Sequence, residues 1–111
     1  MTQEFTFEFQ NEVQSLGSDL EDRMRTVAQE RLQKLQRGHQ DVVGAAVSLE
    51  QPAHAASDFI YESRVVVYAK PDNVAAHAKM GDPMGALKDA IDGVERQIRD
   101  RREKLRDRSR Q

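Results

Sequence analysis

DPMGALKDAIDGVERQIRDRREKLRDRSR, residues Asp82–Arg110, reads as one continuous helix with two faces of different chemistry. Met84, Leu87, Ile91, Val94, Ile98 and Leu105 recur at helical steps, the apolar repeat of a helix lying on a core. Arg96, Arg99, Arg102, Arg106 and Arg110 run along a second stripe. Asp82 before Pro83 marks the start, since the carboxylate can cap free amides and proline loses no hydrogen bond at the first helical position. From Arg96 to Gln111, eight basic residues face Asp100, Glu103 and Asp107, a local balance of +5. Of 17 basic and 19 acidic residues in the chain, nine basic and sixteen acidic then fall in Met1–Glu95, a balance of −7. The formal net charge of −2 hides a polarised molecule whose positive pole suits a polyanion.

Upstream of this helix the periodicity changes. Phe5, Phe7 and Phe9 alternate with Glu4, Thr6, Glu8 and Gln10, a strand with one buried face. Gly17, Ser18 and Asp19 offer capping residues before Leu20, Met24, Val27, Ala28, Leu32 and Leu35, which predict an amphipathic helix from Ser18 to Gln36, stopped by Gly38. Val42–Leu49 reads as a second strand closing at Gln51-Pro52, and Pro52–Ser57 as a loop. FIYESRVVVYAK, Phe59 to Lys70, predicts a long third strand with Tyr61 and Tyr68 on opposite faces, one of them core and the other surface. Pro71-Asp72-Asn73 supplies a turn, and Val74–Lys79 alternates as a short fourth strand forming a hairpin with the third. The expected fold is α+β in the order β-α-β-β-β-α: a four-stranded, mainly antiparallel sheet with two helices packed on one face. One domain is expected over residues 1–107, with 108–111 a short basic tail expected to be disordered.

Composition narrows the function classes. A chain of 111 residues with 5% aromatics and no Trp must build its core from aliphatic residues and a few Phe. Without cysteine it can hold no disulfide or thiolate metal site and use no cysteine nucleophile. The N-terminus lacks the basic start and apolar run of a secretory signal, and no apolar stretch approaches the ~18 residues of a membrane span. The chain is therefore expected to be cytoplasmic, with no membrane partner.

Catalytic patterns are also missing. His39, His54 and His77 lack ligand spacing for a metal. Asp89 and Asp92 share a helical face but sit beside Lys88 and Arg96 as ordinary helix charges. The glycines of Gly81–Gly85 do not form a phosphate-binding loop. No enzymatic activity, metal, cofactor or small-molecule substrate is expected.

The order βαβββα, the run from Asp82 to Ile98 and the basic tail together resemble the ribosome hibernation factors, the family of hibernation-promoting factor and ribosome-associated inhibitor A. Asp82, Ala86, Leu87, Asp89, Ala90, Ile91, Asp92, Val94, Glu95, Arg96, Gln97 and Ile98 match that family's second helix in kind, and Arg31-Leu32-Gln33-Lys34-Leu35 resembles the end of its first. The chain departs from the family at Met84, where a tyrosine is usual, at Val47–Gln51, which lacks the usual lysines, and in a longer first helix with Glu21, Asp22 and Arg23. The resemblance implies a short, single-domain factor of the stationary-phase stress response. Such a factor binds the small ribosomal subunit, meaning its 16S-type rRNA and neighbouring proteins, and reversibly inhibits translation by occupying the channel of messenger and transfer RNA.

Arginine suits that task, because a guanidinium meets phosphate with two parallel hydrogen bonds and RNA can be docked by shape alone. Arg25, Arg31, Lys34 and Arg37 on the first helix are expected to join Arg96, Arg99, Arg102, Lys104 and Arg106 on the second in a basic groove, with Lys79 on the fourth strand also a candidate RNA contact. The competing readings are a solvated, salt-bridged helix face for the arginines and edge-strand protection for His77 and Lys79. The functional alternative is a protein-interaction module of the same fold that does not bind ribosomes.

Overall fold

Alternating side chains make the strands and three-to-four spacing makes the helices, and the two patterns meet in one apolar layer. The structure, a computed structural model, describes residues 5–51 and 60–109, with side chains as far as Lys104. The elements are β1 (Thr6–Asn11), α1 (Ser18–Gly38), β2 (Val42–Glu50), β3 (Tyr61–Ala69), β4 (Val74–Met80) and α2 (Pro83–Ser109). The sheet order is β1-β2-β3-β4. β1 pairs parallel to β2, as a crossover through α1 requires, and the other pairs are antiparallel. The expected α+β architecture in the order β-α-β-β-β-α is the one observed.

Several boundaries differ from the sequence reading, each for a local reason. Side-chain capping from Ser18 or Asp19 is not used, because Gly17 caps α1 without a side-chain bond. Asp19 and Glu21 instead place negative charge in the first turn, at the positive end of the helix dipole. α1 includes Gly38, and the His39 amide closes the last turn by donating to the Gln36 carbonyl at 3.2 Å. β3 stops at Ala69 because its amide donates to Asn73 Oδ1, 3.1 Å away in the turn before β4. Asp82 caps α2 as expected, accepting from the Gly85 amide at 3.0 Å. The expected contributions of Glu4, Phe59, the Pro52–Ser57 loop and the Leu105 side chain lie outside the described residues.

Both helices cover the same sheet face. Met24, Ala28 and Leu32 of α1 and Leu87, Ala90, Ile91, Val94 and Ile98 of α2 are buried with Ala45, Val47, Leu49, Val65, Val67 and Ala78 of the sheet. Fully burying each Leu, Ile or Val here contributes roughly 1.5–3 kcal/mol. Phe7 and Phe9 extend the layer along β1, where they lie beside Ala45 and Val47. A β-bulge between Val42 and Gly44 lets Val42 share the core face with Ala45 and turns Val43 outward. Gly44 is required there, since a Cβ would stand 2.7 Å from the Thr6 carbonyl oxygen. The buried hydroxyl of Ser63 in this layer donates to the Ser48 carbonyl at 3.2 Å.

Among the described residues, the opposite sheet face carries no helix. Tyr68 lies there, 36% exposed, while Tyr61 packs against the core, so the two tyrosines divide as their alternation predicts. Glu62 is on this face yet only 4% exposed, because Arg64 (2.8 Å) and Lys79 (3.4 Å) close over its carboxylate. Burial pushes the Glu62 carboxyl up, but the hydrogen bonds from Arg64 and Lys79 outweigh it and hold the group below its ordinary value of 4.5.

Two predictions follow from this packing. A Cβ on Gly93 of α2 would meet the Ala76 Cβ of β4 at 2.8 Å. The overpacking exceeds the helix-propensity gain, so Gly93→Ala should destabilise by about 1 kcal/mol net in urea unfolding. Adding Ala76→Gly should make the double variant less unstable than the two single losses summed. For Glu62, a depressed folded pKa means that its stabilisation is present above the unfolded value and lost as pH falls through the folded one. Glu62→Gln should therefore be less stable than the parent at pH ~7, and the gap should close at pH ~3; a gap that persists in acid would contradict the ion-pair account.

Candidate nucleic-acid interface

The geometry of α2 follows from its apolar stripe. With Leu87, Ile91, Val94 and Ile98 turned into the sheet, Asp92, Glu95, Arg96 and Arg99 are carried to the side facing α1. These four side chains, with Leu35 of α1 and His39 just after it, line a cleft of about 420 Å³ between the two helices. The groove expected from side-by-side helices is therefore present, but its α2 wall mixes two carboxylates with the two guanidiniums.

The ten predicted contact residues separate into groups. Arg96 and Arg99 line the cleft and are exposed, and Lys34 and Arg37 are exposed on the last turns of α1. Arg102 reaches across the end of the cleft, where its Nη1 donates to the Gly38 carbonyl at 3.3 Å and lies 3.1 Å from His39 Nδ1. A cation at those carbonyls also complements the negative end of the α1 dipole. Burial, then Arg102 and more weakly Arg101, push His39 below its ordinary pKa against the opposing pull of Asp41. Since arginine can only donate, a neutral His39 meets Arg102 with the Nδ1 lone pair. Lys104 is exposed farther along α2, and Arg106 lies on the same helix with its side chain outside the described set.

Three others stand elsewhere or are engaged. Arg25 lies over the Phe9 ring, 5.1 Å from its centroid, and within 3.7 Å of Glu21, on the β1 side of α1. Lys79 projects from the helix-free face of the sheet, held by Glu62, so the sheet separates it from the cleft. Arg31 faces α2 and is clamped between Asp92, at 2.6 Å, and Glu95. Its burial is outweighed by those two carboxylates, which raise its pKa further.

Sequence reasoning passed over Arg101. It leaves the cationic stripe and staples α2 to the far end of the sheet, donating to the Asp72 carbonyl at 2.6 Å and to Asp41 Oδ2 at 3.2 Å. Its position three residues after Ile98, at the border of the apolar stripe, is the signal that could have found it. Gln97 acts similarly on β4, donating to the Ala75 carbonyl at 2.7 Å. At the other end of β2 from His39, a second cleft of about 400 Å³ is lined by Glu12, Gln14, Ser15, Glu50 and Gln51. The charge asymmetry along the sequence is thus also an asymmetry in space.

Among the described residues no helix is long and apolar enough to cross a membrane, and no group of three or more His, Cys, Asp or Glu is placed to hold a metal ion.

Comparison with known proteins bears on the fold and the family. No curated protein sequence matches the chain significantly. Among solved structures, a ribosomal subunit interface protein from Coxiella burnetii superposes with a TM-score of 0.67 at 10% identity, over 88% of this chain and 98% of that one. The Protein Y N-terminal domain from Thermus thermophilus superposes with a TM-score of 0.61 at 19% identity, over 86% and 94%. At these identities the likeness is one of fold. A family model described as Sigma 54 modulation protein / S30EA ribosomal protein matches residues 12–106, nearly the whole chain and including both cleft helices. The resemblance to hibernation factors and this match coincide, and the chain belongs to the Sigma 54 modulation protein / S30EA ribosomal protein family, a family of ribosome-associated proteins.

Proposed function

We propose that this protein is a hibernation factor that docks on the small ribosomal subunit through the cationic ends of α1 and α2. There it occupies the channel used by messenger and transfer RNA and reversibly stops translation in the cytoplasm of stationary or starved cells. The reading needs no chemistry, since occupancy alone blocks the channel. Beyond family membership, the observation that carries it is the set of exposed cations on the two cleft helices: Arg96 and Arg99 in the cleft wall, and Lys34 and Arg37 on the last turns of α1. Lys104 and Arg106 follow farther along α2, and Arg102 sits at the end of the cleft against the last turn of α1. Such an array fits the phosphate-lined grooves of folded RNA, which are recognised by shape and charge. The acidic end of the molecule, with Glu12 and Glu50, would be repelled by the same surface and so orients the docking.

The test is sedimentation of the purified protein with small ribosomal subunits. Four phosphate contacts imply a binding constant that falls roughly 50- to 150-fold between about 50 and about 200 mM salt. Binding indifferent to salt would overturn the phosphate reading and favour the protein-interaction alternative, in which the helix-free sheet face carrying Tyr68 recruits a polypeptide. Both Arg96 and Arg99 are exposed, so the paired reversal Arg96→Glu with Arg99→Glu should keep the circular dichroism of the parent, with a small loss of stability, below about 1 kcal/mol, from the new like-charge pairs with Asp92 and Glu95. It should abolish co-sedimentation at every salt concentration, and retained binding would remove α2 from the interface.

A further inference from the structure

Asp92 and Glu95 pose a problem for a phosphate-binding cleft. They stand in the same wall as Arg96 and Arg99, at spacings that put all four on one side of α2. Asp92 precedes Arg96 by four residues and Glu95 precedes Arg99 by four, which is the favourable acid-first orientation for ion pairs within a helix. Left alone, each carboxylate would be drawn to the guanidinium one turn ahead and would compete with an incoming phosphate. Instead, both carboxylates pair with Arg31 of α1.

The geometry points to Arg31 as a positioning residue for polyanion binding: it holds Asp92 and Glu95 away from Arg96 and Arg99, and so leaves those two guanidiniums available to phosphate. This rests on the reading of the cleft as an RNA-docking surface. Arg31 itself is a poor phosphate ligand, because a phosphate approaching it would meet the two carboxylates already bound there. The charge count agrees. In the cleft wall Arg96 and Arg99 against Asp92 and Glu95 sum to zero, and Arg31, paired to the two carboxylates, brings the group to +1; without Arg31 both cations of the wall have an acidic partner in reach. Lysine would serve less well, since one guanidinium can present separate N–H groups to two carboxylates in a fixed plane.

The experiment compares the wild type with Arg31→Met, with Asp92→Asn plus Glu95→Gln, and with the triple variant combining all three changes. Each is tested on purified small ribosomal subunits and on immobilised heparin as a generic polyanion, after circular dichroism confirms that it is folded. Arg31→Met should bind roughly five- to tenfold more weakly. The triple variant, with a cleft charge of +2, should return to within about twofold of the wild type or bind more tightly. The helix-to-helix clamp is absent from both Arg31→Met and the triple variant, so a purely structural role would leave them equally impaired. A triple variant as weak as Arg31→Met would overturn the inference, as would an Arg31→Met protein that binds like the wild type. If the wild type ignores the subunits but the variants keep the expected order on heparin, the ribosomal reading falls and the role of Arg31 stands.

Discussion

The approach of Gly93 on α2 to Ala76 on β4 sets the distance between the long helix and the sheet. With no side chain on the helix and a single methyl on the strand, α2 lies low enough for Leu87, Ile91, Val94 and Ile98 to fill the layer above β3 and β4. That seating fixes the rotation of α2 about its own axis. The rotation in turn decides which of its many charged residues point at α1, which at the sheet edge and which at solvent. A helix held farther out or turned by one residue would bury the same apolar mass less well and would scatter the cleft wall.

Once α2 is seated, its arginines are no longer one population. Arg101 fastens the helix to the β3–β4 turn and the start of β2, and Arg102 fastens it to the C-terminal end of α1. Arg96 and Arg99 stay in the open cleft. Neighbours in sequence thus take different roles because successive residues point about 100° apart around a helix. The guanidinium group suits both roles, since it can bridge several carbonyl or carboxylate oxygens and can also pair with phosphate in two-point contact.

The acidic members of the cleft are as informative as the basic ones. Asp92 and Glu95 dilute the positive field of α2, yet they are also what α1 docks against through Arg31. One set of charges therefore serves helix packing and the balance of the cleft at once.

Much of this was legible in the sequence. Period-two runs of Phe5, Phe7 and Phe9 and of Tyr61 to Tyr68 declared strands, and the stripe from Met84 to Ile98 declared a helix with a buried face. These readings hold because side-chain direction along an element is dictated locally by backbone geometry. The polarised charge of the chain and its match to a ribosome-associated family were likewise visible in the residues alone. The membership of the cleft was not. That Arg31 meets Asp92 and Glu95, sixty-one and sixty-four positions away, that Lys79 belongs to the opposite sheet face, and that Arg101 is a staple all depend on how two helices and four strands settle against one another. Sequence by itself determined which residues are apolar, charged and periodic; tertiary structure decided which charges meet, because the packing of the apolar faces sets the position and rotation of every helix, and only then are long-range ion pairs within reach.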